Sequence, residues 1–333
     1  MKFRFSLIAL IGILLVDRAL VGGAETPSVR IARFDGNRAA AISYTFDDNI
    51  RDQYTLAVPM LDEFGFKGTF FVIAGKTAKT PEEGARHCDV ENVRRFWGGI
   101  SWPELKEMSG NGHEIANHTW SHPALTKLSS REVDEQIGKA SEVIASHIGE
   151  PPLTIAFPGN SSNPQVREIA LKHHVAYRAF QQSTKGSTTA ASLNTWADKL
   201  VRDEKWGVLM THGIEEGYAA MSSREVLHEH LKYVKSHEQD IWVDTFANVS
   251  RYEKERENAK LSASGEVGKL TCTLTSALDP QLYNVPLTLV IEAANATTAR
   301  AMRGDVNLSA VVEDGTILIE ATPSSQAIII TWK

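Results

Sequence analysis

Across residues 39–246, short apolar runs alternate with longer amphipathic stretches. Residues 39–46 (AAAISYTF) read as a buried strand that stops abruptly at Asp47-Asp48-Asn49. Residues 54–64 have helical spacing at Leu56, Met60, Leu61 and Phe64, with Gly65 placed to end the helix. Residues 68–73 (GTFFVI) form a second predicted strand. Ser101 and Glu104, with Pro103 between them, have the form of a capping box. The helix they open runs to about Met108 and stops at Gly110-Asn111-Gly112. Further strands are predicted at 114–117, 154–157, 175–178, 207–211 and 241–243, and helices at 129–148, 164–173 and 223–236. Val133, Ile137, Ala140 and Ile144 put one apolar face on the longest helix. Strands separated by helices imply a parallel sheet covered by helices. Seven or eight strands in this length suit a barrel, closed or partly open, with its chemistry at the C-terminal strand ends.

The pattern changes after Tyr252. Residues 253–265 are expected to form a charged linker, and from 266 to 333 the pattern is all β. Leu270, Cys272 and Leu274 alternate with threonines, and similar runs occupy 286–292, 306–312, 316–320 and 327–332. Glu313-Asp314-Gly315-Thr316 reads as a hairpin turn. These features predict a small β-sandwich.

At the other end, Lys2 and Arg4 precede an apolar run, Ser6 to Val16, and small residues at Gly22-Gly23-Ala24. This is the order of a secretory signal peptide, so residues 1–24 are expected to be removed on export, leaving a barrel domain over 25–252. The expected location is therefore secreted or periplasmic, with no integral membrane segment after cleavage. The 333 residues carry a net charge of −6, which argues against nucleic acid as a partner. Cys88 and Cys272 fall in different predicted domains and are expected to remain separate thiols.

The candidate chemistry collects at predicted strand ends. Asp47 and Asp48 are adjacent, and neighbours within a strand point to opposite faces. Two such carboxylates serve one site only where the strand ends and the backbone turns. Like charges that close need a cation or a proton between them. His118 and His122 follow the strand at 114–117, and Pro123 disfavours α geometry at His122, so a tight loop is expected. Two histidines and one carboxylate, here Asp48, leave open positions on a metal, the pattern of a catalytic site. Asp47 is then placed to take a proton. His212, which follows the run at 207–211, is placed to give one to a leaving group. Trp97, Trp102, Trp120, Trp196 and Trp206 lie near predicted loops, where rings can stack on sugars, although core packing explains each equally well.

Together these segments resemble the polysaccharide deacetylases, the NodB-homology domains of carbohydrate esterase family 4. Thr45-Phe46-Asp47-Asp48 matches the first family motif, His118-Thr119-Trp120-Ser121-His122 the second, and Leu209-Met210-Thr211-His212 looks like the last. The resemblance covers residues 38–250. It implies a distorted barrel of seven or eight βα units and a divalent metal of the zinc type, with cobalt, nickel or manganese as substitutes. It implies Asp47 as base, Asp48, His118 and His122 as ligands, His212 as acid and Leu209 in the acetyl-methyl pocket. The implied reaction removes N- or O-linked acetyl groups from an extracytoplasmic oligo- or polysaccharide. The third motif, R-x-P-[FY]-G, is matched by Ile155 to Asn160 without its arginine. Backbone amides at Gly159 and Asn160 would still serve an oxyanion. The best fourth-motif candidate is Asn194 to Asp198. Without that arginine, a catalytically weakened, glycan-binding protein of the same fold is the alternative. A serine esterase fares worse, because the chain shows no G-x-S-x-G elbow.

Overall fold

A strand buried along all eight of its residues, β2 (Ala40–Asp47), organises the α/β half of the protein. The computed structural model describes residues 27–86, 97–217 and 219–333. The expected signal peptide and Cys88 lie outside the described residues. Ahead of β2 runs a short strand, β1 (Val29–Ile31). The parallel sheet continues with β3 (Thr69–Val72), β4 (Glu114–Asn117), β5 (Thr154–Ile155), β6 (Ala176–Tyr177), β7 (Gln182–Ser183), β8 (Trp206–Thr211) and β9 (Ile241–Val243). Its order is β6-β5-β4-β3-β2-β8-β7, with β9 paired to the first residues of β2. No ladder joins β6 to β7, so the expected distorted barrel is open at that seam.

The parity of β2 divides its surroundings. Ile42, Tyr44 and Phe46 enter the sheet–helix core. Ser43, Thr45 and Asp47 have the opposite parity and face the barrel interior. There Ser43 accepts from Trp206 Nε1 (3.1 Å) and Thr45 from Arg178 (2.9 Å). Polar residues thus line the interior of a strand whose outer face is apolar.

The helices are α1 (Val58–Glu63), α2 (Pro81–Ala85), α3 (Trp102–Gly110), α4 (Ser130–Ile148), α5 (Pro164–His173), α6 (Ala190–Asp203), α7 (Arg224–Ser236) and α8 (Phe246–Asn258). Residues of α1, α3, α4, α6 and α7 complete the sheet–helix core. The predicted capping box at Ser101 is present, and Ser129 opens α4 with a second one. The helix expected from Tyr54 begins instead as a π turn, Gln53–Ala57, before α1. Pro59 lacks an N–H and crowds the carbonyl four residues back, so a regular α turn cannot form there. His230, on α7, is fully buried between Tyr44 Oη (3.1 Å) and Asn194 Oδ1 (2.9 Å).

The remaining strands are β10 (Lys260–Glu266), β11 (Lys269–Thr275), β12 (Leu287–Glu292), β13 (Ala299–Arg303), β14 (Val306–Leu308), β15 (Ala310–Glu313), β16 (Thr316–Ala321) and β17 (Ile328–Trp332). They form two antiparallel sheets, β1-β12-β16-β15 and β10-β11-β17-β13-β14. The predicted hairpin joins β15 to β16, with Asp314 and Gly315 at φ 43° and 76°. Both central residues have positive φ, the turn that suits strand twist.

Two expected boundaries need correction. Residues 253–265 are no linker: α8 continues to Asn258 and β10 starts at Lys260. The sandwich also recruits β1, whose Val29 pairs with Ile291. Phe34, Ala41, Trp242, Val249 and Tyr252 share one core with sandwich residues such as Leu289, Ile317 and Ile330. Tyr252 Oη donates to the Ala32 carbonyl and accepts from Thr288 N–H. Because Ala41 and Trp242 lie toward the N-terminal ends of their strands, the sandwich seals the barrel end opposite Asp47.

Candidate active site

At the C-terminal end of β2 the backbone leaves the extended region. Asp48 and Asn49 have φ values of 77° and 55°, uncommon for residues with a side chain and typical of functional turns. This break lets adjacent carboxylates serve one site. The turn is tied down by Asp48 N–H to the Phe71 carbonyl (3.2 Å) and by Asn49 Oδ1, which accepts from Ile73 N–H (2.7 Å).

The two histidines sit on a loop after β4, as Pro123 suggested. Thr119 and His122 have φ values of 70° and 62°. Asn117, the last residue of β4, accepts from Thr119 N–H through Oδ1 (2.7 Å) and donates to the Ile137 carbonyl of α4 (3.0 Å). Thr119 Oγ1 accepts from His122 N–H (3.0 Å). Each device substitutes a side chain for a missing backbone partner and bends the loop so that both rings converge.

They converge on Asp48. Its Oδ1 is 3.4 Å from both His118 Nε2 and His122 Nε2, and its Oδ2 is 3.9 Å from His212 Nε2. Neither carboxylate oxygen accepts a hydrogen bond, although the side chain is fully buried. An uncompensated buried carboxylate is costly. His118 Nδ1 donates to the Ala156 carbonyl (2.8 Å), which turns the Nε2 lone pair toward Asp48. Burial holds His122 down at about 4, further lowered by neighbouring His118, so its ring is neutral and able to ligate. Burial also lowers His118, but Asp48 and Asp47 more than reverse this: the two carboxylates draw a positive charge to that ring's Nε2, either a proton or, in its place, a cation on the lone pair. One atom each of Asp48, His118 and His122 lie within 4.8 Å of one another. An orphaned carboxylate, two oriented imidazoles and a mutual spacing this short fit a divalent cation of the zinc type.

Asp47 has a different partner, and it is the residue the sequence reasoning missed. Arg178 Nη1 and Nη2 donate to Asp47 Oδ1 (2.7 Å) and Oδ2 (2.5 Å), and Nη1 also donates to Thr45 Oγ1 (2.9 Å). The guanidinium lies 5.0 Å from the centre of the Phe71 ring. Burial would raise the Asp47 carboxyl, but the paired arginine, with His118 and His212, holds it at about 2. The arginine absent from 155–160 is thus supplied by Arg178, just past β6, the strand that follows. The fourth-motif candidate does not reach the base: Asn194 bonds His230 and Asp198 accepts from Tyr233 (2.5 Å), both between α6 and α7.

His212 stands at the end of β8. Gln53 Nε2 donates to the carbonyls of both Asp47 (2.5 Å) and His212 (2.6 Å), coupling the end of β2 to the end of β8. Asp52 Oδ2 accepts three consecutive N–H groups, from Ile214, Glu215 and Glu216, at 2.7–2.8 Å. Burial keeps the His212 imidazole below its ordinary pKa, against the pull of Asp47 and Asp48.

Three further expectations change. Leu209 packs in the sheet–helix core with Tyr44, Leu193 and Leu227, so it does not line the interior. Its neighbour Val208 is in the interior cluster, and by parity Met210, two residues before His212, takes the place expected of Leu209. Asn160 N–H closes a turn on the Phe157 carbonyl (2.9 Å). Of the pair Gly159 and Asn160, only Gly159 therefore keeps a backbone N–H for an oxyanion. Among the tryptophans, Trp97 lies against His122, with ring centres 4.5 Å apart, whereas Trp206 is built into the interior.

Residues 35–177 match the family model described as polysaccharide deacetylase. Chitin deacetylase 1 of Cryptococcus neoformans var. grubii is 29% identical over 153 residues, covering 46% of this chain and 28% of that protein. Peptidoglycan-N-acetylglucosamine deacetylase PgdA of Listeria monocytogenes is 32% identical over 152 residues, covering 45% and 27%. The chain thus matches less than a third of the length of either relative. A solved structure of a family 4 acetyl xylan esterase from Clostridium thermocellum, in complex with a cobalt ion, is 21% identical with a TM-score of 0.46, covering 63% of this chain and 89% of that one. The match to the polysaccharide deacetylase model falls on the segment that builds β2 to β6 and that carries Asp47, Asp48, His118 and His122.

Proposed function

We propose that the protein is a metal-dependent hydrolase that removes acetyl groups from an extracytoplasmic oligo- or polysaccharide. The observation that carries this reading is the division of labour between adjacent aspartates. Asp48 is buried with two imidazoles and no hydrogen-bond donor, while Asp47 is ionised in a bidentate pair with Arg178. A zinc-type cation held by Asp48, His118 and His122 would polarise an acetyl carbonyl and acidify a water molecule.

The chain supplies the rest. Asp47 accepts the proton of the attacking water. A carboxylate held near 2 takes protons only from a strongly acidified donor, which is why its base role and a cation at Asp48 belong together. Gly159 N–H is available to the developing oxyanion. His212 gives a proton to the departing sugar nitrogen or oxygen as the bond to the acetyl carbon breaks, leaving acetate and a free amine or hydroxyl. The binding-only alternative rested on the missing arginine, whereas the Arg178–Asp47 pair supports the hydrolytic reading.

The test is acetate release from acetylated xylan, chitooligomers and peptidoglycan with added divalent metals. Asp48→Ala and His118→Ala are expected to lose metal binding and acetate release together. Full acetate release by either variant after chelator treatment would sink the metal assignment. Sugar binding without acetate release from any substrate would favour the binding-only reading.

A further inference from the structure

Beside the metal loop, between the start of α3 and the end of α4, lies a cleft of about 720 Å³ that the proposed reaction does not use. Its floor is the backbone of Ala74 and Gly75, whose amides donate to the carbonyls of Thr119 (3.2 Å) and Trp120 (2.9 Å). Those two residues lie between the candidate ligands His118 and His122, so cleft and loop share a wall. A Cβ on Gly75 would stand 2.5 Å from the Trp120 carbonyl oxygen, so the close approach requires glycine.

Val143 and the edges of Trp102 and Trp120 give the cleft apolar sides. Exposed His147 stacks on Trp102, with ring centres 4.3 Å apart and planes 6° from parallel. Exposed Lys79 and Lys106 stand at the rim. Lys139 lies 3.8 Å from the centre of the Trp120 ring. Among the described residues, no carboxylate lines the cleft, although Glu83 accepts from the Lys79 backbone N–H at its rim (2.8 Å). Among the described residues, no salt bridge occupies Lys79, Lys106 or Lys139. On a chain of net charge −6, a cleft whose charged lining residues, Lys79 and Lys106, are both cations is locally complementary to an anion. Its size suits a small ligand of one or two rings. Apolar walls match the C–H faces of a sugar, the Ser146 hydroxyl, which donates to the Val143 carbonyl (2.7 Å), can accept from one of its hydroxyl groups, and the lysines suit a carboxylate.

We propose that this cleft binds a carboxylated sugar residue of a glycan chain, apart from the metal centre. The inference rests on the carbohydrate reading only for how the glycan reaches the cleft. Binding itself needs neither metal nor acetyl group.

A trimer of galacturonic acid, which carries carboxylates and no acetyl groups, is the probe. It is titrated into the full chain by calorimetry at low and high ionic strength. Binding is expected to weaken with salt and to fall about tenfold when Lys79→Ala and Lys106→Ala are combined. Lys106→Glu should weaken it further. Asp48→Asn should leave it unchanged, and a neutral xylose trimer should bind at least about tenfold more weakly. Undiminished binding in the lysine variants, loss in Asp48→Asn, equal affinity for the neutral trimer, or displacement by equimolar inorganic phosphate would each overturn the proposal. Acetate release from a small acetyl ester is expected to be unaffected by the lysine substitutions. Its absence from the unaltered protein, with trimer binding intact, would count against the deacetylase reading alone.

Discussion

Arg178 fixes Asp47 through two parallel hydrogen bonds in a buried site, a geometry that lysine cannot reproduce. Arg178→Met would leave the Asp47 carboxylate buried without its partner, at a cost of about 3–5 kcal/mol. The expected result is a lower Tm and a loss of about 100-fold in kcat for acetate release, with metal affinity kept because Asp48, His118 and His122 are untouched. Calorimetric metal titration alongside steady-state kinetics checks this; unchanged kcat would remove Arg178 from the mechanism. Arg178→Lys should fall between the two. The candidate metal triad was legible in sequence because its members come from two short local motifs, each at the end of an apolar run. Arg178 was not, because nothing in Val175-Ala176-Tyr177-Arg178 distinguishes it locally. Its role arises from the place of β6 in the sheet, two strands beyond the histidine strand. Leu209 was misassigned for a related reason: only the parity of β8, counted back from His212, separates the interior face from the helix face.

The elements that position the site differ in how they are held. The segment after β8 carries His212 and has little regular structure, yet three of its amides converge on one Asp52 oxygen. Asp52→Ala would orphan those amides, at about 1–3 kcal/mol for buried groups of this kind. The expected outcome is a drop of about tenfold in kcat with unchanged metal affinity, since the segment holds the acid and not the ligands. Equal losses in kcat and metal binding would show that Asp52 supports the whole site and not the His212 segment. Elements with strong local signals were read correctly from sequence. β4, α5 and β9 match to the residue, α3 opens with the predicted capping box, and α4 carries the predicted apolar face. The missed elements lack such signals. β7 is two exposed residues, and α6 opens in a run of serine, threonine and alanine. β1 is three residues long, and its partner β12 lies more than 250 positions away, so no local pattern could announce it.

At the scale of the whole molecule, the barrel and the sandwich are joined by a common core and by α8. Glu255 on α8 is buried, and burial pushes its carboxyl up to about 7, against the pull of the Val285 backbone and Arg251. A raised carboxyl makes the folded state hold its proton more tightly than the unfolded chain does. Its contribution is therefore most favourable below about 4.5 and is lost as pH rises to about 7, above which a buried charge remains. Glu255→Gln should stabilise the protein by up to about 3 kcal/mol at alkaline pH and by about a quarter of that near pH 5. Thermal unfolding across pH checks the slope, and a pH-independent difference would contradict the burial argument. The sandwich itself is best understood as a brace. Removing residues 260–333 would strip β1 of its partner and uncover Phe34, Trp242, Val249 and Tyr252, all now in the shared core. At about 2 kcal/mol for each large apolar side chain, the loss is comparable to the whole stability of an ordinary domain, about 5–15 kcal/mol. The truncated chain is expected to be insoluble, or to bind a hydrophobic dye without cooperative unfolding, although every candidate catalytic residue remains. A soluble truncated barrel with unchanged Tm and full acetate release from a small ester would show that the barrel folds alone. Loss of activity on polymers only, with solubility intact, would instead place glycan recognition in the sandwich.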